Sequence, residues 1–225
     1  MKTHVVILAA LMASFAATTE GATGPVSADV SLPAPPKAGA MSLEEALAHR
    51  RSEREFVASP LTLSEVSRLV WAAQGVTATG HRTAPSAGAT YPLEVYLAVG
   101  NVENLSSGVY HYMPERHQLE SVSDGDIRLR LADAAVGQEW LSHAPVVVII
   151  AAVTDRAAAR YGKRAERYVH MEAGHTAQNV LLQAVALGLG ATPVGAFKDT
   201  EVSRLLHLPA GEAPLYLIPV GKPSR

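Results

Sequence analysis

The chain has 225 residues, 48% of them hydrophobic and 18% charged, which is enough apolar material for one α/β domain of ordinary size and excludes wholesale disorder. A formal charge of −2, from 19 basic and 21 acidic side chains, excludes general attraction to nucleic acid or an anionic membrane, so any anion site must be local. The absence of cysteine excludes disulfides, thiolate metal sites, a cysteine nucleophile and lipid attachment at an N-terminal cysteine.

Met1-Lys2-Thr3-His4 ahead of the apolar run Val5 to Ala17 reads as a short basic start and a hydrophobic segment too brief to span a bilayer. Residues 1–22 are therefore expected to be a signal peptide, cut after Ala16 or Gly21, and the mature protein to be soluble and periplasmic or secreted. Thr23 to Ala40 is rich in Pro, Gly, Ala and Ser and has neither hydrophobic period, so an extended tether, or an arm lying on a neighbour, is expected there. The folded domain is expected to occupy residues 41–225.

Ser42 with Glu45, and Thr62 with Glu65, have capping-box spacing and open two predicted helices, the second with an apolar face of Val66, Leu69, Val70 and Ala73. Gly75 to Pro92 is small, polar and rich in breakers, hence a loop. Glu94 to Val99 predicts a strand, Val109 to Tyr112 and Gln118 to Val122 a hairpin, and a helix starts after Asp126. Val146 to Val153 is a continuous apolar strand of the kind covered on both faces. Arg156 to Leu187 predicts one long helix, apolar around most of its second half and so central or at a subunit interface. Gly188-x-Gly190 follows that helix rather than a strand and reads as its C-cap, not a dinucleotide loop. A helix capped by Asp199 and a last strand, Leu215 to Val220, complete the chain.

Arg50-Arg51-Ser52-Glu53-Arg54 crowds three guanidiniums and a hydroxyl, with Arg50 and Arg54 on one face if the segment is helical. A phosphate would relieve the repulsion through bidentate contacts; a solvated face neutralised by Glu53 and Glu55 is the competing reading. Arg82 to Pro92 is a loop small in its middle and stiffened by proline at both ends, open to a flat or bulky guest. Within it, Ala84-x-Ser86-x-Gly88 resembles a serine hydrolase elbow, but Thr77 to Thr83 is no strand to precede one. His170 and His175, with Glu172 between them, stand five apart and on different helix faces, unlike a helical zinc pair, and are read as packing or capping histidines; no metal is expected.

These segments occur in an order that resembles the nitroreductase superfamily over about Ser42 to Gly221. The similarity is carried by Arg50-Arg51-Ser52-x-Arg54-x-Phe56, Pro85-Ser86-Ala87-Gly88-Ala89-x-Tyr91-Pro92, Tyr161-Gly162, Glu172-Ala173-Gly174-His175, Gln178-Asn179 and Ile218-Pro219-Val220-Gly221, and is greatest to the SagB-type, thiazole/oxazole-forming dehydrogenases. The resemblance implies an α+β nitroreductase fold, a mixed central sheet surrounded by helices with the long apolar helix at a dimer interface. It also implies FMN as cofactor, in a homodimer. The arginine segment is implied to hold the FMN phosphate and ribityl chain through Arg50, Arg51, Ser52 and Arg54. Pro85, Ser86, Ala87 and Gly88 are implied to reach over from the other subunit, and Gly195 and Ala196 to offer backbone donors near flavin N5. Gln138 is aligned with an amide contact to the ring, and Lys222 with a further phosphate contact.

Tyr161 is implied to be catalytic, but its neighbour is Arg160 where azole-forming members have lysine, and a guanidinium cannot act as a base near neutral pH. The chain stops at Arg225 without the longer tail that many nitroreductases exchange, which leaves a swapped C-terminal strand open and the Thr23 to Ala40 arm as a candidate for part of that wrapping. The expected activity is hydride transfer between an organic substrate and an electron acceptor by way of flavin N5. The alternatives are an exported esterase using Ser86 and a non-catalytic module that binds a flavin or another phosphorylated ligand.

Overall fold

The computed structural model describes residues 29–36 and 38–224; the expected leader and the start of the arm lie outside the described residues. In chain order the elements are β1 (Val30–Ser31), α1 (Leu43–His49), α2 (Leu63–Gln74), β2 (Val76–Ala78), β3 (His81–Arg82), β4 (Leu93–Val99), β5 (Gly108–Met113), β6 (Gln118–Asp124) and α3 (Arg128–Ala134). Then come β7 (Val146–Val153), α4 (Thr154–Tyr161), α5 (Ala165–Ala186), β8 (Gly190–Ala191), α6 (Asp199–Leu205) and β9 (Glu212–Gly221).

Both capping boxes form: Ser42 and Glu45 exchange hydrogen bonds of 3.1 and 2.8 Å, and Thr62 and Glu65 bonds of 3.2 and 2.7 Å. Each satisfies two orphan N–H groups at a helix start. The main sheet has the order β1-β6-β5-β4-β7-β9-β8. Its named strands pair antiparallel, and parallel pairing enters at its margins as the single bridges Ser52 with Ala191 and Leu61 with Val102.

β7 is the spine because its valines and isoleucines are buried on both sides. Val146, Val148 and Ile150 pack toward α2 and α5, whereas Val147, Ile149 and Ala151 pack toward α3 and α6. The two-residue period of a strand sends alternate side chains into two separate cores. Among the described residues no helix is long and apolar enough to cross a membrane.

Four expectations change. Thr77 to Thr83, read as loop with no strand, carries most of the short β2–β3 hairpin, with Val76 paired to Arg82 and Ala78 to His81. The arm does not run free or onto a neighbour over residues 30–32: Val30 and Ser31 pair with Leu119 and Gln118, and the Leu32 N–H bonds to the His117 carbonyl at 3.2 Å. The exposed edge of β6 offers unused backbone groups that a short strand can satisfy. The long helix is two helices, because Gly162 (φ 52°) turns the chain out of α geometry between α4 and α5. Lys198, not Asp199, is the N-cap of α6; Asp199 is its first helical residue, where the helix dipole favours a carboxylate.

Candidate functional site

The arginine segment is extended rather than helical, because α1 stops at His49 and Arg50 already has φ −58° and ψ 119°. Residues 52–57 then lie between two other segments. Ser52 bridges to Ala191, the Glu53 N–H donates to the Ala191 carbonyl at 3.2 Å, the Val57 N–H donates to the Lys222 carbonyl at 3.0 Å, and Phe56 pairs with Pro223. The fit is close: a Cβ on Gly190 would stand 2.6 Å from that of Glu53.

Extended backbone, not helical spacing, therefore sets where these side chains lie. Arg51, 71% exposed, faces Glu53 at 3.7 Å, so it is already neutralised. Arg54 lies 5.6 Å over the ring of Trp140, and the Arg50 guanidinium has no hydrogen bond or ion pair among the described residues. Lys222 joins this group through its main-chain pairing.

Trp140 also connects the arginines to the segment after Val194. Val194 is pinned to Leu217 by bonds of 2.8 and 3.0 Å. Gly195 and Ala196 follow, exposed, and their N–H groups take no partner among the described residues. Gln138 donates its amide to the carbonyls of Ala135 (2.9 Å) and Ala196 (3.3 Å). Its NH2 is thus spent on fixing the Gly195–Ala196 strip rather than left pointing outward.

The proline–serine loop is held at many points. The Thr83 hydroxyl donates to the Trp71 carbonyl and Asn179 to the Thr83 carbonyl. Arg82 donates to Gln74, which donates to Thr176, and its guanidinium stacks 4.6 Å over Tyr91. The Ser86 oxygen accepts the Tyr91 N–H at 2.9 Å, and its hydroxyl serves the Glu172 carboxyl. Gly88 (φ 59°) is pressed against Tyr161 and Arg160: a Cβ there would stand 2.5 Å from the Tyr161 hydroxyl, and Arg160 donates to the Gly88 carbonyl at 3.2 Å. Tyr161 is set by an edge-on contact with Tyr168 at 5.0 Å.

Pro85 to Gly88 and Tyr161 thus share one locality. The esterase alternative finds no support: Ser86 has ordinary extended backbone at φ −124°, not a strained elbow, and no histidine bonds to it among the described residues. His170 and His175 are exposed, neither packed nor capping, and no metal-binding group is found among the described residues.

The sequence reading missed two residues here. Trp140 carries no signal beyond its place two residues after Gln138. Glu172 was read as a neighbour of two histidines and as part of a family motif, with no role given to it, yet it is 3% exposed with Oε1 unpartnered. Burial pushes its carboxyl above the usual carboxylate range, against the opposing pull of the Ser86 hydroxyl, the Ala87 N–H and the charge of Arg82.

In one chain the two groups of residues stand apart. The arginines pair with the strand that follows the end of α5, whereas the loop is held from its middle turns, Glu172 to Asn179. The helix from Glu172 to Ala186 spans about 21 Å. No hydrogen bond, ion pair or ring contact joins the two groups among the described residues.

The Nitroreductase family model matches residues 47–222. The chain is 50% identical over 183 residues to the nitroreductase-like protein MJ1384 of Methanocaldococcus jannaschii, covering 81% of this chain and 91% of that protein. It is 31% identical over 132 residues to the microcin B17-processing protein McbC of Escherichia coli, covering 56% of this chain and 48% of the relative. The crystal structure of a nitroreductase-like protein from Ralstonia eutropha superposes with a TM-score of 0.78 at 31% identity, covering 88% of this chain and 90% of the other. The fold expected from the sequence is thus the observed one, and the chain belongs to the nitroreductase family of oxidoreductases.

Proposed function

We propose that the chain is an FMN-dependent oxidoreductase of the SagB-type branch, acting as a homodimer on an organic substrate. One observation carries this reading: Arg54 lies over Trp140, two residues from the Gln138 that holds the Gly195–Ala196 strip, whose N–H groups take no partner among the described residues, and main-chain pairing ties Ser52 and Lys222 into the same arginine segment. A phosphate monoester carries nearly two negative charges and suits guanidinium forks, while an electron-accepting ring suits fixed N–H dipoles. The donor set therefore fits a flavin mononucleotide lying from the arginines to the strip.

In this reading Arg50, Arg54 and Ser52 bind the phosphate and ribityl chain, and Lys222 adds charge. Gly195 and Ala196 donate near N5, held in place by Gln138. Pro85, Ser86, Ala87 and Gly88 cover the ring from the second copy, bringing Tyr161 with them. Tyr161, unlike its neighbour Arg160, can hold or pass a proton near the substrate. Arg51, engaged with Glu53, contributes little beyond long-range charge. Bound FMN would supply acceptance and return of a hydride; the protein supplies binding, orientation and electrostatics.

Similarity to a microcin-processing protein supports placement beside the azole-forming enzymes, and Arg160 separates this chain from their lysine–tyrosine pair. If residues 1–22 direct export to the periplasm or medium, nicotinamide coenzymes are scarce at the destination. Oxidation of an organic substrate with oxygen or a quinone as acceptor is then favoured over nitro-group reduction.

The test is the absorption spectrum of the purified mature protein, with the released chromophore identified after denaturation. Flavin bands from FMN are expected, and Arg50→Ala with Arg54→Ala should weaken binding at least about a hundredfold, since each charged contact is worth roughly 1.5–3 kcal/mol. A protein that carries no flavin and refuses added FMN ends the proposal.

A further inference from the structure

Glu172 is a polar group that the core would not keep for stability alone. A carboxyl 3% exposed with an unpartnered oxygen is costly to bury, and Val169, Ala173, Ala177 and Val180 of α5 are buried beside it. The groups that pull against its burial are the Ser86 hydroxyl, the Ala87 N–H and the charge of Arg82, all three on the same loop. Thr176 and Asn179 continue the same face at i+4 and i+7. Thr176 receives Gln74, which in turn receives Arg82, and Asn179 donates to the Thr83 carbonyl. The polar residues of this helix face thus serve successive points of a single loop.

We propose that Glu172 is the positioning residue of the Pro85–Gly88 loop, fixing the backbone of Ser86 and Ala87 in the shape the site requires. The flavin part of this inference rests on the function proposed above; the seat itself belongs to the flavin-free chain.

The seat is sensitive to ionisation. The group stays protonated to higher pH than an ordinary carboxyl, and losing that proton leaves a buried charge with Oε1 unsatisfied. The groups around it are few. Arg82 approaches from the loop, Gln74 and Thr176 are neutral, and Arg160 and Tyr161 of α4 reach the loop at Gly88. Only Arg82 acts on it with charge, and that charge favours loss of the proton against the larger effect of burial.

The experiment uses the full chain without flavin and follows tryptic cleavage after Arg82 from mildly acidic to mildly alkaline pH, with exposed Arg51 as internal reference. Glu172→Ala should raise the relative cleavage rate by about tenfold or more. Glu172→Gln, which keeps the shape and cannot ionise, should retain wild-type protection and lose the rise with pH. Protection unchanged in a folded Glu172→Ala variant, or a Glu172→Gln variant that rises with pH as the wild type does, overturns the proposal. The second criterion holds even if the alanine variant fails to fold.

FMN titration by fluorescence quenching then addresses the flavin separately, with about tenfold weaker binding expected for Glu172→Ala and a change within about twofold for Glu172→Gln. If the alanine variant loosens the loop while the wild type takes no FMN, the seat stands and the flavin reading fails.

Discussion

Gly88 is the point at which the loop meets α4, and it can be tested against a second glycine with the same backbone strain. Both Gly88 (φ 59°) and Gly137 (φ 73°) lie in the left-handed region, but an added Cβ at Gly137 meets nothing within 4 Å, whereas at Gly88 it would collide with Tyr161 and Arg160. Gly137→Ala should cost about 1–2 kcal/mol from conformation alone and leave ligand binding intact. Gly88→Ala should cost more in thermal stability and also weaken FMN binding, because Tyr161 and the loop must separate. Equal effects of the two substitutions would show that the contact with Tyr161 carries nothing. Glu172 gives the pH dependence at this scale. Because its folded pKa is raised, its contribution favours the folded state at low pH and is lost as pH rises through the folded value. Denaturant midpoints of wild type and Glu172→Gln should therefore diverge on the alkaline side, in favour of glutamine. The loop itself was legible from its glycine and prolines, since those residues act locally. Glu172 was not, since burial of a single acid on an apolar helix leaves no periodic trace.

At the scale of elements, local signals were read well and pairing between distant segments was not. The capping boxes at Ser42 and Thr62 fix helix starts within four residues of sequence, and β7 declares itself by an unbroken run of β-branched residues. The arginine segment was assigned helical spacing because nothing within it marks the end of α1. What ends the helix is pairing of residues 52–57 with Ala191 and with residues 222–224, more than a hundred positions away. The same pairing makes the C-terminal segment part of the site. Truncation after Gly221 removes the Val57–Lys222 and Ser224–Glu55 backbone bonds, which at about 0.5–1.5 kcal/mol each should lower stability by about 1–3 kcal/mol. FMN affinity should fall further than in Lys222→Ala, because the truncation also frees Phe56 and the arginine beside it. Affinity no lower than that of Lys222→Ala would mean that the segment contributes charge but no positioning.

For the whole molecule, the separation of the two residue groups along α5 decides how many copies one site needs. The arginines and the Gly195–Ala196 strip follow from the segment beyond the end of that helix, whereas the loop is held from its middle turns and meets Tyr161 at the end of α4. One flavin touching both is most readily built where two copies meet. Co-expression of two inactive variants separates the possibilities. One variant, Arg50→Ala with Arg54→Ala, keeps the loop; the other, Gly88→Val, keeps the arginines. If each site takes its arginines from one copy and its loop from the other, a mixed dimer carries one doubly damaged site and one intact site. Random pairing makes about half of the molecules mixed, so bound flavin should return to about a quarter of the wild-type amount, with the recovered flavin confined to the mixed species on a two-tag purification. If both groups belong to the same copy, every site in every pairing retains one lesion and no flavin returns, whatever the oligomeric state.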